Sequence, residues 1–433
     1  MNLQLKLKSP ITFKQRLLLT ITLLTLVRVG SFIPLPYLDI KTISSSYNES
    51  TTSTATVTTI LNTFSGRGTA ASISLFSLGI LPNINASIII QLLTTLSPAL
   101  LKLQKEEGEY GRRKLNDYTR YLTFFCATIE SIFTAYSFRE LIFNWNTMVL
   151  IQISISLLTG SMIILWFSEL ITKNGIGNGS SILICFNIVT NFPDQIKNLG
   201  INLIDNNYLI ISLISGLFLI TTIGCIYINE AIVKIPLISA SQLLRKVSKI
   251  SLWDKSYLPL RINQAGVMPL VFTSSIMVIL SSLVKFIYSR FFDNELFSFF
   301  NLVIQKSNFL IEKLFYWGCY GLLVFFFTNF YSKIILDPKD IAEEFRKNSV
   351  SIKGVNPGIS TRNYLTETIK NLTTLNAFFL VFVIILLNMS EYLLPINNVS
   401  IKGFGFTSQL ILVNVLIDTF RKVQSLLKAE DVL

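Results

Sequence analysis

The sequence predicts an all-α polytopic membrane protein of ten transmembrane helices. Three observations predict it. Hydrophobic residues make up 51% of the chain and charged residues 14%, with a mean hydropathy of +0.56. A soluble domain carries roughly 25% charged residues. Apolar segments of about 20 residues, the length that crosses a bilayer, recur from end to end. The basic residues are also sorted. With ten spans, 27 of the 37 Lys and Arg fall on the side of the N-terminus, as the positive-inside rule requires. An even number of spans puts both termini on that side.

In chain order, residues 1–16 carry Lys6, Lys8, Lys14 and Arg16 and no acid. Leu17–Pro34, apolar apart from Arg28, is the first span; no small-residue cleavage site follows it, which argues against a signal peptide. Asp39–Thr59 is Ser/Thr-rich and reads as a loop, with a chance Asn48-Glu49-Ser50 sequon. Ile60–Phe76 is too short and too interrupted by Gly to span. It reads as a re-entrant piece leading into a break at Gly79 and Pro82.

The second span, Leu81–Ser97, organises the rest. It is short, rich in Ile and Leu, and dotted with Asn83, Asn85, Ser87 and Gln91. Irregular backbone at membrane depth is tolerated where it is buried in protein or lines a watery cavity. This span is therefore expected to line a path, with the charged run Lys102–Arg120 forming a basic platform at its exit. Further spans are expected at Tyr118–Phe138, Met148–Ile171, Ser180–Leu199, Tyr208–Pro236, Ile262–Tyr288, Phe309–Leu336, Leu372–Leu387 and Phe404–Leu427. Spans one to five form one half, residues 1–207, and spans six to ten the other, residues 208–433. Two long inside loops, about 235–260 and 337–371, are too charged for simple connectors and read as a docking surface.

Several chemistries are excluded or left without support. The chain has no His, which removes imidazole acid–base work. Its four Cys are scattered in apolar segments and read as small core residues. The net charge of +12 follows from membrane topology rather than nucleic-acid binding. Gly175, Gly177 and Gly179 lack the strand and the Lys-Ser/Thr of a phosphate loop. The intramembrane ionisable residues Arg28, Glu130, Glu169, Glu230 and Asp418 sit mostly near span ends, where snorkelling or helix pairing explains them. No two of these intramembrane carboxylates share a segment at i, i+4, so no metal or cofactor is expected and no catalysis. A secondary solute transporter with inverted repeats is the rival reading.

The motifs LGILPNINASIIIQLL with EEGEYGRRKLNDYTRY, NGIGNGSSILICFNIV, LPLRINQAGVMPLVFTSSIM, and DPKDIAEEFRKNSVSIKGVNPG with TRNYLTETIKNLT occur in this order. They resemble the SecY family, the pore subunit of the protein-conducting channel, over essentially the whole chain. The resemblance implies two inverted, pseudo-symmetric halves around a central pore that opens sideways between spans two and seven. It implies a closing ring at Ile84, Ile88, Ile184, Ile188, Val271 and Ile411; from composition alone these six are plain core. The piece at about 60–76, with Phe64, Ser65, Gly66 and Gly68, corresponds to the family's plug. Asn85, Ser87, Gln91, Ser274 and Ser275 would line the lateral gate.

Arg245, Lys246, Lys249, Arg346, Lys347, Lys353 and Arg362 would dock the SecA motor or a ribosome. A SecE-like small membrane subunit would clamp the halves, signal-bearing polypeptides would be the substrates, and membrane lipid would receive their apolar segments. One departure stands out. Where the family carries Arg in a Gly-x-Arg-Pro-Gly turn, this chain has Asn356 between Gly354 and Gly358. The Ile, Asn, Lys and Phe bias suits an algal plastid genome, and hence a thylakoid membrane with stromal termini. A bacterial plasma membrane is the alternative.

Overall fold

The computed structural model describes residues 12–37, 74–105, 107–137, 146–201, 208–239, 257–266, 268–277, 280, 309–393 and 406–430. The described chain is almost wholly helical. In order it forms α1 (Phe13–Gly30), α2 (Leu81–Leu96), α3 (Pro98–Lys105), α4 (Gly108–Ser137), α5 (Thr147–Asn174), α6 (Gly179–Ile201) and α7 (Tyr208–Glu230). Strands β1 (Ile232–Ser239) and β2 (Tyr257–Arg261) follow. Then come α8 (Met268–Met277), α9 (Phe309–Ile335), α10 (Pro338–Lys347), β3 (Val350–Ile352), α11 (Ile359–Leu393) and α12 (Phe406–Glu430).

Two compact units divide the chain, Met1–Asn207 with Asn397–Leu433, and Tyr208–Ile396. In the first, α2 and α3 pack on α4, α4 on α5, α5 on α1 and α6, and α12 on α6. The C-terminal helix thus completes the unit built by the N-terminal spans. In the second, α9 and α7 pack on α11.

Length and composition alone mark Thr147–Asn174, Trp317–Lys347 and Ile359–Leu386 as helices able to cross a membrane, among the described residues. The bent pair Leu81–Leu96 and Pro98–Gln104 makes a fourth. Elsewhere the apolar stretches are shorter, as in Gly179–Thr190, Ser215–Glu230 and Met268–Met277. The outer faces are greasy: Leu18, Leu26 and Val29 of α1, Leu219, Ile220 and Ile223 of α7, and Phe378 and Phe382 of α11 lie exposed. Such a surface is stable against hydrocarbon and not against water.

The break before α2 is built as its residues dictate. Pro82 sits in the first turn, where a missing N–H costs nothing. The turn over residues 75–80 passes so close to α5 that the Leu75 carbonyl occupies the place of a Cβ on Gly160. Only Gly fits there. At the other end Pro98 pushes Ser97 into the extended region, and the chain turns by 107° into α3.

Four boundaries differ from the sequence reading, each for a local reason. The sixth span stops at Glu230, not Pro236, because the β-branched pair Ile232-Val233 begins strand β1. The seventh does not begin at Ile262; residues 262–266 form an irregular joint and α8 begins at Met268. The ninth begins at Ile359 rather than Leu372, because Thr361, Leu365 and Ile369 make a buried stripe at helical spacing. The charged run ahead of Tyr118 belongs to helices α3 and α4.

The two long loops are therefore not loops throughout. β1 pairs antiparallel with β2, from Ile232 opposite Arg261 to Pro236 opposite Tyr257, and with β3 from Leu237 opposite Ile352 to Ser239 opposite Val350. Ile235, Leu260, Ile352, Leu365 and Ile369 form a small core under this sheet, with Ile341 and Phe345 of the amphipathic α10 packed against it. Asp337 caps α10 by accepting from the Lys339 N–H at 3.1 Å. This is a folded platform with its own core.

Candidate functional site

The six aliphatic residues of the expected ring are all buried. On α2, Ile84 and Ile88 are spaced i, i+4 and share one face. Ile184 and Ile188 do the same on α6, and Ile411 is buried on α12, which packs on α6. These five belong to the first compact unit. Val271, on α8, is buried in the second.

Of the polar residues expected at the lateral gate, all but Gln91 make a side-chain hydrogen bond. Asn85 donates through Nδ2 to Glu130 Oε1 on α4 at 2.7 Å, so a half-buried carboxylate has its donor on the neighbouring helix. Ser87 donates to the Asn83 carbonyl at 2.7 Å within α2. Gln91 has its Oε1 buried without a hydrogen-bond partner. On α8, Ser274 and Ser275 both donate to the Val271 carbonyl, at 2.8 and 3.0 Å. Their hydroxyls are thereby masked within the helix.

Of the other ionisable residues, Glu230 is exposed at the end of α7, and the rest pair or lie against a ring. Arg120 of α4 bonds Glu169 of α5 through two nitrogens, with Nε to Oε1 at 2.6 Å. Lys173 approaches the same carboxylate at 3.8 Å, and Asp117 lies 3.3 Å from the Arg120 Nη1. Arg28 lies over the Phe32 ring at 5.0 Å, and Asp418 lies 3.8 Å from Arg421. Among the described residues no cluster of Cys, Asp and Glu could hold a metal.

Of the docking residues, Arg346 and Lys347 stand exposed on the last turn of α10 and Lys353 follows β3. Arg362 sits on the first turn of α11, not in a loop. The platform brings these four onto one folded element. Asn356 is exposed in the turn between, and its backbone carbonyl accepts from the Thr361 hydroxyl at 3.0 Å. Arg245, Lys246 and Lys249, and the plug residues Phe64, Ser65, Gly66 and Gly68, lie outside the described residues.

One constellation escapes sequence reasoning. Asn229 at the end of α7, Asn263 before α8 and Asn376 in α11 are all buried, and Asn263 is hydrogen-bonded to both of the others. Their partners lie 34 and 113 residues apart, so no local spacing reveals them. The only signal is an amide side chain set in apolar sequence.

Buried aliphatic faces on short, broken helices, a greasy exterior and a basic folded platform mark a polytopic membrane protein. The SecY family model matches residues 74–420. A protein translocase subunit SecY of Vaucheria litorea is 57% identical over 427 residues, covering 98% of each chain. One of Guillardia theta is 41% identical over 433 residues, covering 99% of this chain and 98% of its own. The chain belongs to the SecY family.

Among solved structures, a protein-conducting channel superposes with a TM-score of 0.60 at 16% identity, covering 96% of this chain and 93% of that one. Sec61 from a canine ribosome–channel complex of the endoplasmic reticulum superposes with a TM-score of 0.54 at 16% identity and the same coverage. The fold is that of these ten-helix channels, and the protein is a multi-pass membrane protein. Its function is that of a protein translocase subunit; the solute-transporter reading has no support.

Proposed function

We propose that this chain forms the pore through which extended polypeptides cross the thylakoid membrane, and from which apolar segments leave sideways into lipid. The observation that carries the reading is the aliphatic character and burial of Ile84, Ile88, Ile184, Ile188, Val271 and Ile411, at the positions the family motifs assign to the constriction. A narrow aliphatic waist dewets when empty and so resists ions, yet yields around a threaded chain. The family resemblance assigns the plug that closes it to the segment at about 60–76. Asn85, Ser87 and Gln91 on α2 and Ser274 and Ser275 on α8 are the residues the family motifs assign to the lateral gate.

The platform faces the stroma, with both termini. Its basic residues dock a ribosome, whose RNA is polyanionic, or a SecA-like motor. Energy comes from that partner, and the chain itself performs no catalysis. A SecE-like small subunit braces the two halves. Relatives from plastid-bearing algae and from a cyanobacterium support the compartment. The test is site-specific crosslinking of a stalled nascent chain from photoreactive residues at 84 and 88. Adducts at both are expected; a client that crosslinks at neither removes the pore reading.

A further inference from the structure

We infer that Asn263 is a positioning residue that fixes the start of α8 to α7 and α11, and so ties the platform sheet to the helix that follows it. The inference rests on the reading of α8 as one wall of the lateral gate. Asn263 donates through Nδ2 to Asn229 Oδ1 at 2.6 Å. Its own Oδ1 accepts from Asn376 Nδ2 at 3.1 Å and from the Gly266 N–H at 3.0 Å. Asn229 in turn donates to the Cys225 carbonyl at 2.8 Å, inside α7. Both lone pairs of the Asn263 carbonyl are thereby used.

The surrounding backbone repeats the tie. β2 ends at Arg261, and the next N–H, of Ile262, donates to the Ala231 carbonyl at 3.1 Å. Gln264 accepts from Ser332 of α9 at 2.9 Å. Gly266 turns the chain with φ +62°. The five residues of the joint are held by side chains from three helices, immediately beyond the edge of the sheet.

Packing alone would be served better by Leu or Ile, because a buried amide is costly unless paired. Paired, it specifies one arrangement of the elements it joins. A donor and an acceptor beside the joint, Gln264 Nε2 and Asn376 Oδ1, are buried without partners. The joint therefore has spare hydrogen-bonding capacity for a second arrangement.

The experiment uses the full chain with its partners in liposomes. Hydrogen exchange is measured over residues 262–277 and 359–380, together with transport of two clients, one with an intact signal and one with a weakened signal. For Asn263→Ala, exchange at 262–277 should rise at least tenfold while 359–380 changes less than twofold. Transport of the weakened client should rise several-fold with the intact client unchanged. Asn376→Ser, which removes one donor, should move both readouts the same way by less, and decides alone if Asn263→Ala does not fold. Unchanged exchange at 262–277, or an equal rise in both regions, overturns the inference. A local rise with unchanged client selectivity upholds the positioning role and instead removes α8 from the lateral gate.

Discussion

Asn85 of α2 donates to Glu130 of α4 across 2.7 Å, placing a carboxylate at a helix–helix contact inside a membrane protein. The amide's own Oδ1 has no partner, so this one bond is what its polar group gains there. Glu130→Leu should leave the Asn85 amide wholly unpaired and cost about 1–3 kcal/mol. Glu130→Gln keeps an acceptor and should cost less. Thermal unfolding of the two variants in the same detergent measures the difference; equal losses would mean that the bond contributes only by filling space.

Arg120 and Glu169 join α4 to α5 with two hydrogen bonds. The Arg120 side chain is 42% exposed and Glu169 25%, so water and salt screen the pair. Arg120→Met should therefore cost no more than about 1 kcal/mol. The loss should shrink at high salt, and the charge-swapped double variant should recover part of it. A double-mutant cycle on melting temperature gives the coupling.

The spans were legible because apolar length is a strong signal, and the Lys and Arg counts gave an orientation to expect. The platform was legible only as charge. Only Asn229, Glu230 and Ala231 separate the apolar run of α7 from Ile232 and Val233 of β1, too short a break for hydropathy to mark the change of backbone period. Its third strand has three residues, too few for alternation to register. The Asn229–Asn263–Asn376 network was invisible for a different reason: it exists only once α7, the joint and α11 have met. Ile84 and Ile411 show the converse limit. Their burial is what the ring requires, and it is also what an ordinary core requires.

That ambiguity is resolved by a polar substitution. Ile88→Asn or Ile411→Asn puts an amide into an aliphatic site. In a constriction the amide would wet the waist, so resting ion conductance in planar bilayers should rise well above the wild-type level. Clients with weak signals should also pass more readily. In a plain core the same change would lower stability without conductance. Unchanged conductance with a lowered melting temperature would count against the ring.

Asn356 stands exposed in the Gly354–Gly358 turn, where the family resemblance implies Arg, and the turn is held by its backbone carbonyl rather than its side chain. Asn356→Arg should therefore leave the fold untouched. It should tighten ribosome binding and steepen its salt dependence by about one phosphate contact. Sedimentation with purified ribosomes across a salt series checks both. No gain in affinity would mean that Lys353 or Arg362 already occupies the contact.

The platform separates charge from scaffold, which makes docking separable from folding. Arg346 and Lys347 are exposed on α10, while Leu365 is fully buried in the core beneath. Arg346→Glu with Lys347→Glu should weaken partner binding most at low salt, with protease resistance of residues 337–371 unchanged. Leu365→Ala should cost about 2–5 kcal/mol of local stability through the cavity it leaves. It should weaken binding too, but only alongside faster proteolysis of the same segment. Charge reversal acts at the surface a partner touches, whereas truncation acts on what holds that surface in place. If the reversed pair bound as tightly as wild type at low salt, docking would have to be assigned elsewhere, with Arg245, Lys246 and Lys249 the next residues to reverse.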